Sequence, residues 1–195
     1  MSIRALTAIG AVVAFTTGSA VAVSVAAADV PGIGAAAVRP GASASLGARP
    51  TVVTLDGVGG VLPGMTAAQV ASIWRTPVRL GLDAGSPGCR TAKISAGGVR
   101  GYALFENGRL GAVWFDRGVR TPSGITIGST VPQLVRAYGY RLQAEPHKYQ
   151  LGAQYFFLTR KQSPRWRMRF DASAAARVTQ IGFGARAVGY VEGCS

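Results

Sequence analysis

Hydrophobic and polar positions follow three regimes along this chain. Ala5 to Ala28 is an unbroken run of 24 uncharged residues rich in Ala, Val, Gly, Ser and Thr. Residues 29–50 alternate Ala, Gly, Pro and Val without an aromatic and offer little to bury. From Thr51 onward short apolar runs recur between turn residues, and this is where a fold is expected to begin. Thr51-Val52-Val53-Thr54-Leu55 has strand composition. Gly64-Met65-Thr66-Ala67-Ala68-Gln69-Val70-Ala71-Ser72-Ile73-Trp74 places Val70, Ile73 and Trp74 on one helical face. Thr66 and Gln69 have the spacing of a capping box, in which hydroxyl and amide close the first turn reciprocally.

The same segment returns 64 residues later. Gly128-Ser129-Thr130-Val131-Pro132-Gln133-Leu134-Val135-Arg136-Ala137-Tyr138 repeats the box with Thr130 and Gln133, and the apolar face with Leu134, Ala137 and Tyr138. Pro132 falls in the first turn, where its missing N–H does no harm. Helices this short need a sheet to lean on. Strand patterns follow each one. In the first unit, Gly101 to Phe105 and Leu110 to Phe115 flank Asn107-Gly108, a two-residue hairpin signal, and Cys89 to Ser95 supplies an earlier strand. In the second unit, Tyr155 to Thr159, Arg165 to Phe170 and Arg177 to Phe183 read as strands, the last matching Arg109 to Phe115. The expected fold is α+β: two tandem helix-plus-three-strand repeats, 51–120 and 121–195, forming one antiparallel sheet with helices on one face.

The Gly-x-Thr-x-x-Gln segment ahead of a short helix and a hairpin resembles a unit shared by two families. One comprises outer-membrane assembly lipoproteins of the SmpA/OmlA (BamE) type. The other is the beta-lactamase-inhibitory-protein family, which carries two such units in tandem. Pro122 to Thr130 also resembles secreted proteins of high-GC Gram-positive bacteria. The resemblance covers roughly Val61 to Phe183. It implies protein binding through the sheet face that the helices leave open. The chain departs from it in having Arg75 where the second copy has Gly139, and one Cys per unit. No binding residue of either family is carried over.

The first 28 residues change the picture of where the protein acts. Arg4, the apolar run and Ala26-Ala27-Ala28 before Asp29 have the order of a secretory signal, cut between Ala28 and Asp29. An uncleaved anchor formed by residues 5–28 is the alternative. Residues 29–50 then read as a linker or as a disordered N-terminus. Two cysteines, Cys89 and Cys194, in an exported chain suggest one disulfide. It would close a loop of about 100 residues, worth roughly 4 to 5 kcal/mol by loop-closure entropy.

Charge selects the partner class. The chain has 21 Lys and Arg against 8 Asp and Glu, and only Arg4 of these precedes residue 29. Such a surface attracts anions. In the exported setting this points to an acidic extracellular or envelope protein, or to an anionic cell-wall or membrane component; nucleic acid ranks below both. Two features give the attraction an address. In a strand, Arg165, Arg167 and Arg169 share one face and Trp166, Met168 and Phe170 the other. Uncompensated arginines do not belong in a core, so they are expected on the open face, as a binding site or as a merely solvated surface. Regular pairing across Asn107-Gly108 puts Phe105, Leu110 and Trp114 on one face and Tyr102, Leu104, Val113 and Phe115 on the other. Val113 and Phe115 match Ile181 and Phe183 and are assigned to the core. Trp114 is then expected on the open face as an interaction residue, unless the faces are reversed.

Catalytic chemistry finds little support. His147 is the one histidine, beside Pro146 and Lys148. There is no nucleophile elbow, P-loop or HExxH helix, and no clustered metal-ligand pattern. The expectation is a non-enzymatic binder without cofactor or metal, an inhibitor being one form of it and an envelope assembly protein the rival form.

Overall fold

The computed structural model describes residues 51–82, 85–160 and 163–193. The expected export signal with its Ala28–Asp29 cut, the linker and Cys194 lie outside the described residues. Among the described residues no helix is long and apolar enough to cross a membrane.

The described fold is mostly strand. β1 (Thr51–Thr54), β2 (Gly57–Val58) and α1 (Ala67–Trp74) lead into the hairpin strands β3 (Cys89–Ala96), β4 (Val99–Glu106) and β5 (Arg109–Arg117). After β6 (Val119–Arg120) and α2 (Val131–Tyr138) come β7 (Leu142–Pro146), β8 (Gln154–Arg160), β9 (Ser163–Ala172) and β10 (Val178–Gly184). A 3-10 turn at Arg186–Gly189 follows. Seven strands make one antiparallel sheet in the order β3-β4-β5-β10-β9-β8-β7. A small sheet, β2-β1-β6, contains a parallel pairing of β1 with β6. β2, β6 and β7 were not expected from the sequence.

Both helices begin as their sequences dictate. The Thr66 hydroxyl accepts from the Gln69 amide at 3.3 Å, and the Gln69 side-chain oxygen accepts from the Thr66 amide at 2.8 Å. Thr130 and Gln133 repeat this at 3.3 and 2.8 Å. α1 ends on Arg75 in the left-handed helical region (φ 51°, ψ 40°), whereas α2 ends on Gly139 at φ 55° and ψ −135°, a different conformation that glycine adopts without a Cβ penalty. Each helix start is tied to a strand start. The Gly64 amide donates to Leu110 O and the Leu110 amide to Met65 O, both at 2.7 Å. The Gly128 amide donates to Val178 O and the Val178 amide to Ser129 O, both at 2.8 Å. The Arg109 and Arg177 guanidiniums reach the carbonyls of Gly64 and Gly128.

The main core lies between the helices and one face of the sheet. Val70, Trp74 and Leu134 pack with Phe105, Val113, Phe115, Met168, Phe170, Ile181 and Phe183. Trp74 spends its indole N–H on Val58 O at 3.0 Å, so a large polar-tipped ring is buried without penalty. The assignment of Val113, Phe115, Ile181 and Phe183 to the core matches this packing.

The expected partition of the first hairpin needs correction. Asn107 (φ 49°) and Gly108 (φ 74°) form the tight turn, and Phe105 pairs with Leu110. Yet Leu104 then faces Ala112, so Gly111 is an extra residue in β5. This bulge flips the side-chain alternation beyond it. Phe105 and Leu110 therefore join Val113 and Phe115 in the main core. Tyr102 and Leu104 lie with Trp114 on the other face.

A candidate anion-binding face

β9 alternates as its sequence suggests. Met168 and Phe170 enter the helix-side core, with Trp166 packed at its margin, while Arg165, Arg167 and Arg169 belong to the opposite face. The three arginines meet different surroundings there. Arg169 is 5% exposed. Its Nε and Nη2 donate to the two carboxylate oxygens of Asp171 at 2.6 and 2.8 Å. Its Nη1 donates to Val188 O at 3.2 Å and to Tyr190 O at 2.7 Å. The Tyr155 ring centre lies 4.1 Å from the guanidinium carbon. Burial works against its charge, but the bond to Asp171 and the carboxylate's field outweigh it, so the pKa is raised. Arg169 is thus a clamp on the C-terminal segment, and its expected place as an exposed binding residue is corrected.

Trp114 needs the same correction. It lies on the side opposite the helices, as expected, but only 1% of it is exposed. Tyr102 stacks on its indole, centroids 4.9 Å apart and planes 17° from parallel. Ala187 and Val188 of the 3-10 turn cover it. Gly182 is its cross-strand neighbour in β10. A Cβ there would stand 2.7 Å from Trp114 Cδ1 and 3.0 Å from Val188 Cγ2, so the bare glycine is what lets the indole lie flat under the turn. The indole nitrogen has no hydrogen-bond partner among the described residues. Residues 186–193 therefore form a strap across the middle of the face. Tyr190 donates to Glu106 at 3.0 Å, and Glu192 meets Lys148 at 2.8 Å and the Tyr149 hydroxyl. Burial beneath this cover raises the Tyr102 pKa against the opposing field of Arg169.

To the side of the strap's first residue, over β9, β8 and β7, the face stays open. A depression of about 420 Å³ is lined by Gln143, Thr159, Arg165, Arg167, Ala185 and Arg186. Among the described residues no carboxylate lines it. Arg167 is half-buried, its guanidinium carbon 4.9 Å from the Phe157 ring centre. Thr159 and Gly184 flank it in the ladder. Gly189 packs so close that a Cβ would stand 2.6 Å from Arg167 Nη2. Arg165 is exposed, 5.7 Å from the Trp166 ring centre. Arg186, unforeseen from the sequence, is the first residue of the 3-10 turn. A lone Arg in an Ala-Gly-Val setting carries no signal of its own; its position two residues after the last residue of β10, Gly184, is what brings it here.

No family model matches the chain, and no characterised protein sequence does. Among solved structures, a cysteine-rich secretory protein from Staphylococcus aureus superposes with a TM-score of 0.44 at 10% identity, over 71% of this chain and 47% of that one. The chain thus spans about half of that protein. A DUF4309 family protein from Bacillus subtilis superposes with a TM-score of 0.46 at 11% identity, over 70% of this chain and 88% of that one. Both likenesses are too remote to bear on function.

The remaining sequence candidates have local explanations. His147 Nδ1 accepts the amides of Tyr149 and Gln150, each at 3.1 Å, and its ring rests on Tyr155 at 4.5 Å. It shapes the β7–β8 turn. Among the described residues no three His, Cys, Asp or Glu side chains are placed to hold a metal. Cys89 is buried at the start of β3 and borders a recess shared with Tyr190 and Gly193.

Proposed function

We propose that this chain is an exported, non-catalytic protein-binding module that takes an acidic partner on the sheet face away from its helices. The observation that carries the reading is the depression holding Arg165, Arg167 and Arg186 without a lining carboxylate. Arg167 is half-buried with its guanidinium over an aromatic ring, so it is pre-positioned and little side-chain freedom is lost when an anion docks. Trp114 and Arg169 support this face from beneath rather than touching the partner.

Two structural proposals accompany it. The matched helix starts, and the shared ties from Gly64 to Leu110 and from Gly128 to Val178, support descent of the halves from one duplicated unit, as in the families the sequence resembles. Cys89 pairs with Cys194, whose neighbour Gly193 borders the Cys89 recess.

The test is capture from envelope and culture fractions by wild type and by the Arg165→Gln/Arg167→Gln variant, with a high-salt wash. A discrete protein retained by wild type and lost by the variant is the expected result. Equal retention by the folded variant would remove the site. Loss of everything at high salt would replace the acidic protein with an anionic cell-wall or membrane component, bound by general charge attraction.

A further inference from the structure

We infer that Arg165, Arg167 and Arg186 form a single oxyanion site for a phosphate or sulfate group, and that the C-terminal strap completes it. The inference rests on the binding-module reading above and narrows what its face recognises.

The charge at the depression is the first argument. Three arginines share its lining with two neutral hydrogen-bonding residues, Gln143 and Thr159. A single carboxylate offers two oxygens and one charge, and pairs with one planar fork. A tetrahedral oxyanion presents three free oxygens; as a phosphate monoester it carries between one and two charges near neutrality. It can be approached by several forks at once, with a hydroxyl or amide filling the remaining lone pairs. The population of donors here fits the second group and leaves the first over-supplied with positive charge.

The second argument is how the site is assembled. Arg165 and Arg167 come from β9, but Arg186 comes from the strap. The strap's position is set by Arg169, which holds Val188 O and Tyr190 O from below. Gly189 of the strap also walls the Arg167 guanidinium. Arg169 is therefore a positioning residue: it fixes the element that carries Arg186 and confines Arg167, without facing the ligand itself. Occupancy by an anion and docking of the strap are thermodynamically linked.

The experiment titrates the whole secreted chain with inorganic phosphate, inorganic sulfate and acetate at constant ionic strength, followed calorimetrically. Expected is saturable binding of phosphate or sulfate, about tenfold or more tighter than acetate, and weakened by about tenfold in Arg186→Gln. Arg120→Gln, which removes the same charge from the exposed end of the small sheet, is expected to leave it unchanged. Acetate binding as tightly, absence of saturation, or equal losses in both variants would overturn the inference. A phosphoserine peptide then distinguishes sources: tighter binding than inorganic phosphate assigns an ester on a partner, and weaker binding assigns the free ion. If no oxyanion binds while partner capture still depends on Arg165 and Arg167, this inference falls and the binding-module reading stands. If phosphate saturates the site but capture ignores those arginines, the reverse holds.

Discussion

Arg169→Met tests the distinction between a clamp and a contact residue. The substitution keeps an unbranched apolar stem and removes the guanidinium. What remains is Asp171, 8% exposed, with its bidentate partner gone, and two strap carbonyls without their donor. Breaking a buried pair from one side costs about 3–5 kcal/mol, mostly as the penalty of the stranded charge. For a chain of this size each kcal/mol lowers the melting temperature by roughly 3 °C, so a drop of about 10–15 °C is expected. Urea denaturation followed by tryptophan fluorescence gives the free energy directly. The double variant Arg169→Met/Asp171→Leu is expected to recover part of the loss, because it removes the stranded carboxylate as well. A single variant within about 1 kcal/mol of wild type, with partner binding abolished, would refute the reasoning and return Arg169 to the set of surface contacts.

Gly182→Ala is expected to destabilise by about 1–3 kcal/mol and to shift Trp114 emission, since the new methyl meets the indole and Val188; an unchanged melting curve and spectrum would count against the packing described. Thr66→Ala and Thr130→Ala are each expected to cost about 1 kcal/mol in urea denaturation, the similar values reflecting similar capping bonds. Stability is expected to fall in alkali. Tyr102, Tyr155 and Tyr190 have pKa values raised above the ordinary 10.0, burial being the main cause for each. The unfolded chain loses these protons first, so stability is intact below about pH 10 and is lost as pH rises from there toward the folded values. Urea midpoints from pH 8 to 11 check this, and Tyr102→Phe is expected to flatten the decline.

Patterns with a local cause were legible in the sequence. The capping boxes, the Asn107-Gly108 turn and the alternation of β9 each depend on neighbouring residues, and each was placed. The face of Arg165, Arg167 and Arg169 followed from that alternation. What was not legible depended on distant chain. Tyr102 and Leu104 were misplaced because Gly111 is a bulge, and an isolated glycine in a strand hints at a bulge without proving one. β7 has no apolar pattern to announce it, since most of its residues are exposed on an edge. The strap hid best. Ala187, Val188 and Gly189 look like the remnant of a tail, yet they bury Trp114 and bring Arg186 to the depression. Exposure of Trp114 was inferred from its side of the sheet, and a side says nothing of what lies over it.

The pairing of β5 with β10 imposes an order of events on biosynthesis. A chain made from its N-terminus completes β5 by residue 117, while the strand that covers its free edge ends only at residue 184. During that interval β5 presents an unpaired ladder and an uncovered tryptophan, the kind of surface on which nascent chains associate wrongly. Residues 178–189, which emerge well after β5, finish the centre of the sheet and then seal it. Loss of residues 186–193 is therefore felt in the middle of the molecule, and a product cut before them is expected to be met by quality control as an unfinished sheet.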